Sequence, residues 1–255
     1  MEYFSLQNRN ILVTGGGSGI GLALVKNFIN EGAKVILADI KNCEKLAESI
    51  GATYVFMDVS KESSVRVGFE SAFNKIGKID VLINNAGISL LSGVLEEGDT
   101  VKWSKVFDIN VLGVMYGLKY GPRYMNQGAC IINTASQAAF TKVAGMEPYA
   151  ASKAAVISLT KTAAIELADQ RIRVNAVCPS NTKTPMMAES DDAAYAELMS
   201  NLLSPISRVA ETDDLVGVFH FLASEAARYI NGQALIVDGG WTAGVSNQLL
   251  ERILE

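Results

Sequence analysis

Cysteine and histidine are scarce in this sequence. Its 255 residues include three cysteines and one histidine, His220. Three cysteines without a CxxC pair predict neither a disulfide framework nor a zinc site, so we expect no bound metal. A histidine-based triad or a multi-histidine metal site would have to use His220, which lies in the apolar run VGVFHFLAS. We therefore predict that His220 is a packed or surface side chain.

Long apolar runs and an excess of basic residues are missing as well. No stretch approaches about 18 consecutive apolar residues, which argues against a membrane-spanning helix. The 22 basic and 27 acidic side chains leave a formal net charge of −5, whereas a nucleic-acid binder needs a basic face. The first ten residues contain Glu2 and no apolar segment, so we expect no secretory signal and a cytoplasmic location.

Short apolar runs rich in β-branched residues recur along the chain, separated by amphipathic stretches of helical length. The runs are apolar almost throughout, as strands covered on both faces require. This alternation predicts a doubly wound parallel sheet with right-handed crossovers. No linker divides the chain, so we predict a single-domain Rossmann-type α/β fold over 1–255, with about seven strands and helices on both faces. The predicted strands are 10–15, 33–39, 52–59, 79–86, 129–136, 173–179 and 234–240.

A glycine-rich segment, TGGGSGIG from Thr14 to Gly21, follows the first predicted strand and opens a helix. Glycines let the backbone approach a pyrophosphate, whose charge the helix N-terminus favours, although they also allow tight strand-to-helix packing. The second strand ends at Asp39, where a carboxylate can accept ribose hydroxyls and repel a 2′-phosphate. The pattern predicts a dinucleotide site that prefers NAD over NADP, with Lys41 as the one cation nearby.

Tyr149 and Lys153 stand four residues apart in a predicted helix, so their side chains share one face. Interconversion of a carbonyl and an alcohol needs a proton donor or base at the oxygen, and a free phenol titrates near 10, too high for an efficient base. An ammonium about 4 Å away is worth on the order of 4 kcal/mol at intermediate dielectric, roughly three pKa units. We therefore expect Lys153 to lower the Tyr149 pKa, although such a pair is also common without catalysis.

Polar residues near the ends of the predicted strands complete the candidate site. Ser136 ends the fifth strand, where its hydroxyl can hydrogen-bond a reacting oxygen. Asn110 interrupts an apolar helical stretch and is either functional or a local helix irregularity. The segment Asn84–Gly87 ends the fourth strand and either lines a cofactor or forms an ordinary turn.

Taken together, these motifs resemble those of the short-chain dehydrogenase/reductase family. TGGGSGIG, Asp58-Val59, NNAG, Asn110, Ser136, YAASK and VDGG occur in family order and spacing over nearly the whole chain. The resemblance implies that Tyr149 is the acid/base, that Lys153 binds the nicotinamide ribose, that Ser136 orients the substrate and that Asn110 supports a water chain. The implied cofactor residues are Gly15, Gly17, Ser18, Gly19, Ile20, Asp39, Ile40, Asp58, Val59, Asn85, Ala86, Gly87, Tyr149, Lys153, Pro179, Ser180, Thr182 and Thr184.

The sequence departs from the family pattern after the sixth strand and at the C-terminus. Ser180 replaces the usual glycine after Pro179, and 245–255 extends past the usual end with an apolar stripe of Leu249, Leu250, Ile253 and Leu254. We expect this tail either to pack on another subunit or to fray. The resemblance also implies a homotetramer, or a homodimer, joined through the helices that carry Asn110 and Tyr149. Segment 186–205 is predicted to be a helical lid over the substrate. The predicted substrate contacts are Ser136, Gln137, Ala138, Met146, Glu147, Tyr149, Ser180 and Met186.

The function implied is an NAD-dependent oxidoreductase that interconverts a secondary alcohol and its ketone. An NADP-dependent ketoacyl-type reductase and a non-catalytic dinucleotide sensor are kept as alternatives. An enoyl reductase is disfavoured, because its tyrosine and lysine are typically seven residues apart. The expected partner is a small alcohol or ketone, and neither nucleic acid nor a membrane is expected.

Overall fold

The structure, a computed structural model, describes residues 2–90, 95–142, 144–188 and 193–254. Within these residues, seven strands form one sheet in the order β3-β2-β1-β4-β5-β6-β7, and each neighbouring pair is parallel. The predicted doubly wound parallel sheet is confirmed. The strands are β1 (Asn10–Thr14), β2 (Lys34–Asp39), β3 (Thr53–Phe56), β4 (Ile79–Asn84), β5 (Met125–Thr134), β6 (Arg173–Pro179) and β7 (Ala234–Val237).

Helices cover both faces of the sheet. The described α-helices are α1 (Gly19–Asn30), α2 (Glu44–Ile50), α3 (Glu62–Ile76), α4 (Thr100–Phe107), α5 (Gly113–Tyr120), α6 (Glu147–Glu166), α7 (Pro185–Ala188), α8 (Ala193–Leu203), α9 (Asp213–Ala223) and α10 (Asn247–Leu254). A π-helical turn, Asp108–Leu112, joins α4 to α5. A short 3-10 turn, Gln137–Ala139, follows β5.

The apolar strands supply three hydrophobic clusters, which cover both faces of the sheet. Val13 of β1 packs with Phe28 of α1 and Phe219 of α9 on one side. Leu12, the preceding residue, packs with Phe69 of α3 on the other. Each such buried side chain stabilises the fold by about 1.5–3 kcal/mol. Because side chains on both faces of each strand are buried, the strands are continuous apolar runs and do not alternate between apolar and polar residues.

Five predicted strands, β1, β3, β4, β5 and β7, end one to three residues earlier than predicted. The two largest differences, of three residues each in β3 and β7, occur where an aspartate turns the chain. β3 stops at Phe56, and Asp58 then accepts hydrogen bonds from the backbone and side chain of Ser60. β7 stops at Val237, and Asp238 accepts from the Gly240 and Thr242 N–H groups. β5 instead starts early, at Met125, with a register shift against β4.

The structure describes most of the predicted lid and of the C-terminal tail, and all of His220. The predicted lid contains α7 and α8, while residues 189–192 lie outside the described chain. The tail forms α10, with Leu254 exposed, and the Ile253 side chain and Glu255 lie outside the description. His220 packs as expected, with Nε2 2.7 Å from the Phe4 carbonyl oxygen. No helix in the described residues is long and apolar enough to cross a membrane.

Candidate active site

The glycine-rich loop lies at the carboxyl end of β1, where the strand order reverses between β1 and β4. Gly15 and Gly19 have positive φ, +64° and +52°. A Cβ on Gly15 would lie 2.8 Å from the Ala86 Cα, so only glycine lets these two loops meet. Ser18 precedes α1 in extended conformation and makes no side-chain capping bond. The first turn of α1 therefore keeps free N–H groups for an anion, which fits a pyrophosphate.

Asp39, the last residue of β2, lies against the glycine-rich loop. One carboxylate oxygen accepts from the Gly17 N–H (3.0 Å) and the other from the Lys41 N–H (2.9 Å). A Cβ on Gly17 would lie 2.9 Å from Asp39 Oδ2, so glycine is required for this approach. The negative charge is held directly beside the glycine loop. Ile40, the next predicted cofactor residue, is exposed.

The Thr14 hydroxyl joins the glycine loop to the segment after β4. It accepts from the Asn85 N–H (3.0 Å) and the Ala86 N–H (3.1 Å). The Asn85 amide donates back to the Thr14 carbonyl oxygen, and the Thr134 hydroxyl donates to the Asn85 side-chain oxygen. The ends of β1, β4 and β5 are therefore connected through Asn85.

Asp58 and Val59 form the side of the site next to β3. Burial raises the pKa of the Asp58 carboxyl, but hydrogen bonds from Ser60 and Lys61 outweigh it and leave that pKa below its usual value. Asp58 is therefore an anion held by its own turn. Val59 lies against Gly113, where a Cβ would be 3.1 Å from the valine side chain.

Ser136 and Tyr149 come together as the sequence predicts. Ser136 is buried, and its hydroxyl accepts from the Ala138 N–H (3.1 Å). Burial raises the pKa of the Tyr149 phenol, and a side-chain hydrogen bond with Ser136 offsets only part of that rise. The two hydroxyls thus form one pair between β5 and α6.

Lys153 is buried beneath this pair, and the expected effect on tyrosine is wrong for this structure. Its Nζ donates to the Thr134 carbonyl oxygen (2.9 Å) and lies 5.7 Å from the Tyr149 ring centroid. Burial lowers the pKa of Lys153 to about 8, whereas the Tyr149 pKa is raised rather than lowered. Loss of hydration is the largest cause of both shifts, and it disfavours the charged form of each group.

Asn110 lies in the π-helical turn and is fully buried. Its side-chain oxygen accepts from the Ile88 N–H (2.8 Å), and its amide donates to the Ile88 carbonyl and the Ser152 hydroxyl. A Cβ on Gly87 would lie 3.2 Å from the Asn110 Oδ1 and 3.3 Å from the Lys153 Nζ. The predicted helix irregularity at Asn110 is present and brings the side chain beside Lys153, while its functional role stays a prediction.

The segment after β6 reaches back to the glycine loop. The Ser136 hydroxyl donates to the Pro179 carbonyl oxygen (3.4 Å), and Ser180 continues the β6–β7 pairing through its N–H to Val237. Thr182 is buried and donates to the Ser180 carbonyl oxygen. A Cβ on Gly19 would lie 3.2 Å from the Thr184 methyl group. Thr184 and the glycine loop therefore border the same space.

The predicted substrate residues are brought together less completely. Gln137 is buried in the turn after Ser136, while Ala138 and Met146 are partly buried and Met186 is exposed on α7. The grouping of Met146 and Met186 with the substrate stays a prediction.

Several residues that matter to the geometry were missed by the sequence reasoning. Thr134 holds Lys153 through its backbone carbonyl, which the sequence does not indicate because every residue carries that group. Asn181, just after β6, donates to the Ala196 carbonyl (3.0 Å) and the Ser200 hydroxyl (3.1 Å), tying α8 to the sheet. Cys178 lies near the site, and burial raises its pKa to about 12 against the opposing effect of Lys153, so its thiol stays protonated. A polar residue directly after a strand was the available signal for Asn181.

The fold and this site define a dinucleotide-binding oxidoreductase. A family model described as Enoyl-(Acyl carrier protein) reductase matches residues 15–242. The NADP-dependent (R)-specific alcohol dehydrogenase of Lentilactobacillus kefiri is 36% identical over 93% of this chain and 98% of its own. The mitochondrial borneol dehydrogenase of Lavandula x intermedia is 34% identical over 92% of this chain and 91% of its own.

Solved structures agree with the sequence matches. A short-chain type dehydrogenase/reductase from Mycobacterium marinum superimposes with a TM-score of 0.88 at 29% identity, covering 95% of this chain and 99% of its own. The chain belongs to the short-chain dehydrogenase/reductase family, whose members are oxidoreductases that bind a nicotinamide dinucleotide.

Proposed function

We propose that this protein is an NAD-dependent oxidoreductase that interconverts a secondary alcohol and its ketone. The observation that carries the proposal is the interaction of the buried Ser136 hydroxyl with the Tyr149 phenol, with the buried Lys153 ammonium 5.7 Å from the tyrosine ring centroid. The glycine loop, Asp39 and Thr184 are the residues that would hold the cofactor. When bound, an oxidised nicotinamide would accept the hydride and add a positive charge beside the phenol.

Residues of the chain donate and accept the proton at the substrate oxygen. Ser136 donates a hydrogen bond to that oxygen, and Tyr149 gives a proton to it during reduction or takes one during oxidation. The raised Tyr149 pKa keeps the phenol protonated at rest, which suits donation to a ketone. In the oxidising direction, Lys153 attracts the phenolate that forms. Asn110 holds the Ile88 backbone beside the lysine, in keeping with the proposed water chain.

The preference for NAD rests on the Asp39 carboxylate. Its position against the Gly17 N–H would put it next to an adenosine ribose at the loop, where it repels a 2′-phosphate. The NADP dependence of the Lentilactobacillus kefiri relative keeps an NADP-dependent ketoacyl-type reductase as a second candidate. The enoyl reductase named in the family description is disfavoured by the four-residue spacing of Tyr149 and Lys153. A non-catalytic sensor would have no need of the Ser136–Tyr149 pair.

The remaining features are proposed with this function. Residues 1–255 form one catalytic domain with a lid at about 186–205, and the tail 245–255 packs on another subunit of a homotetramer or homodimer. The partner is a small alcohol or ketone, and the location is cytoplasmic.

Tyr149→Phe tests the acid/base role. We expect turnover of secondary alcohols to fall by at least about a hundredfold, because no group is left to move the proton. The Kd of NAD, measured by fluorescence or calorimetry, should change little. Tyr229→Phe, at a fully exposed tyrosine, is the control and should retain wild-type turnover. Undiminished turnover in Tyr149→Phe would remove this residue from its role.

Asp39→Ala tests the cofactor preference. Loss of the carboxylate removes the repulsion of a 2′-phosphate, so the ratio of kcat/KM for NAD to that for NADP should fall by about tenfold or more. Glu48→Ala, an exposed acid at the far end of α2, should leave the ratio unchanged. An unaltered ratio in Asp39→Ala would contradict the ribose contact.

A further inference from the structure

Two polar side-chain atoms on the elements that carry the proposed catalytic hydroxyls lack hydrogen-bond partners. Across the described residues, three buried side-chain atoms are unpaired: Trp103 Nε1, Gln137 Nε2 and Glu147 Oε2. Gln137 is only 7% exposed. Buried polar groups are almost always paired, because an unpaired one loses its hydration without compensation. Two such atoms on the turn and helix that carry Ser136 and Tyr149 are candidates for contacts with a ligand.

Both side chains are positioned by the elements that carry Ser136 and Tyr149. Gln137 follows Ser136 directly and opens the 3-10 turn that the Ser136 hydroxyl caps. Glu147 is the first residue of α6, two residues before Tyr149, and this turn packs against α6. One Glu147 oxygen accepts from the Gly145 N–H (3.0 Å), which anchors the carboxylate and leaves the other oxygen available.

The unpaired atoms are chemically complementary to a hydroxyl group. The Gln137 amide nitrogen can only donate, and the Glu147 carboxylate oxygen can only accept, whereas a hydroxyl accepts and donates at once. Ser136 and Tyr149 are committed to the reacting oxygen in the proposed mechanism. A second oxygen on the substrate would therefore have its own donor and acceptor.

We infer that the substrate carries a second hydroxyl or carbonyl oxygen close to the reacting carbon, which makes it a diol or a hydroxyketone. Gln137 donates to this second oxygen, and Glu147 accepts from it when it is a hydroxyl. The inference rests on the proposed function and narrows its substrate class. A site built to bind a hydroxyl discriminates strongly against the analogue that lacks it, because the protein groups are then left unpaired.

The test compares matched substrates that differ in one oxygen. With NAD, we expect kcat/KM for a cyclohexane-1,2-diol or cyclohexane-1,3-diol isomer to exceed that for cyclohexanol by at least about tenfold. Gln137→Leu removes the donor and Glu147→Gln replaces the acceptor at similar size, so each should reduce this ratio by several-fold. Gln127→Leu and Glu166→Gln, at exposed positions on β5 and at the end of α6, should keep the wild-type ratio.

A binding measurement separates this inference from the proposed function. Calorimetric titration of the diols and cyclohexanol into Tyr149→Phe with NAD reports selectivity without turnover. Turnover with equal kcat/KM for diols and cyclohexanol, unchanged by Gln137→Leu, would overturn the inference and leave the proposed function standing. Diol-selective binding that is lost in Gln137→Leu, with no turnover of any alcohol by wild type, would support the inference and refute the function. Absence of both turnover and selective binding would refute both.

Discussion

At the scale of single residues, Tyr149 and Lys153 show how strongly burial shifts the pKa of an ionisable side chain. Both groups are shifted toward their neutral forms, the phenol to a higher pKa and the amine to about 8. Charge attraction over about 4 Å would by itself lower the tyrosine pKa, but folding also removes the hydration of both groups. In the folded protein the lysine instead holds the Thr134 carbonyl and lies beside the face of the ring.

Lys153 should make the stability of the fold depend on pH. Its pKa falls from 10.5 in the unfolded chain to about 8 in the folded protein, so between these values the unfolded chain binds more protons. The contribution of Lys153 to stability therefore rises with pH through this window and is least favourable below pH 8. Lys153→Met removes this dependence. Between pH 8 and pH 10.5, the free energy of unfolding of the wild type should therefore rise by about 3 kcal/mol relative to that of the variant.

Urea unfolding at several pH values in this window measures the difference. Lys161→Met, at an exposed lysine on the same helix, should show no such trend relative to wild type. A stability difference between wild type and Lys153→Met that stays constant with pH would contradict the buried amine.

At the scale of elements, irregular segments place the polar groups that regular ones cannot. The π-helical turn between α4 and α5 lets Asn110 bond the Ile88 backbone and the Ser152 hydroxyl of α6 together. Across the sheet, the Asn84 amide donates to Asn133 (2.9 Å), and Asn133 donates to Thr160 of α6 (2.9 Å). These bonds join elements that apolar packing alone would leave free to slide.

Asn181 ties α8 to the end of β6 and should control the motion of the proposed lid. Asn181→Ala removes two hydrogen bonds, each worth about 1 kcal/mol, so amide exchange in Ala193–Leu203 should become faster. KM for the alcohol should rise severalfold with a smaller change in kcat, because the lid closes less often. Asn201→Ala on the same helix is the control. Exchange that is equally slow in both variants would show that Asn181 does not restrain the lid.

At the scale of the whole molecule, the exposed apolar side chains of neighbouring helices bear on assembly. Phe107 ends α4, Met115 lies on α5, and Ile165 near the end of α6 is 78% exposed. They lie on the helices through which we expect subunits to pack, and burying them would stabilise a homo-oligomer.

Ile165→Glu should weaken this assembly, because an unpaired charge would be buried in the interface. Light scattering after gel filtration should give a dimer or tetramer mass for wild type and a smaller mass for the variant. Val67→Glu, at a half-exposed valine on α3, should leave the mass unchanged. A monomeric wild type at micromolar concentration would contradict the expected homo-oligomer.

The sequence by itself determined the order of strands and helices, the glycine loop and the shared face of Tyr149 and Lys153. Each of these depends on local spacing: apolar runs, glycines after a strand, and side chains four residues apart on a helix. Only the tertiary structure decided the direction of both pKa shifts, the bonds of Asp39 and Asn110, and the unpaired atoms of Gln137 and Glu147. Those properties depend on burial and on contacts between residues far apart in the chain. The local sequence determines neither of these.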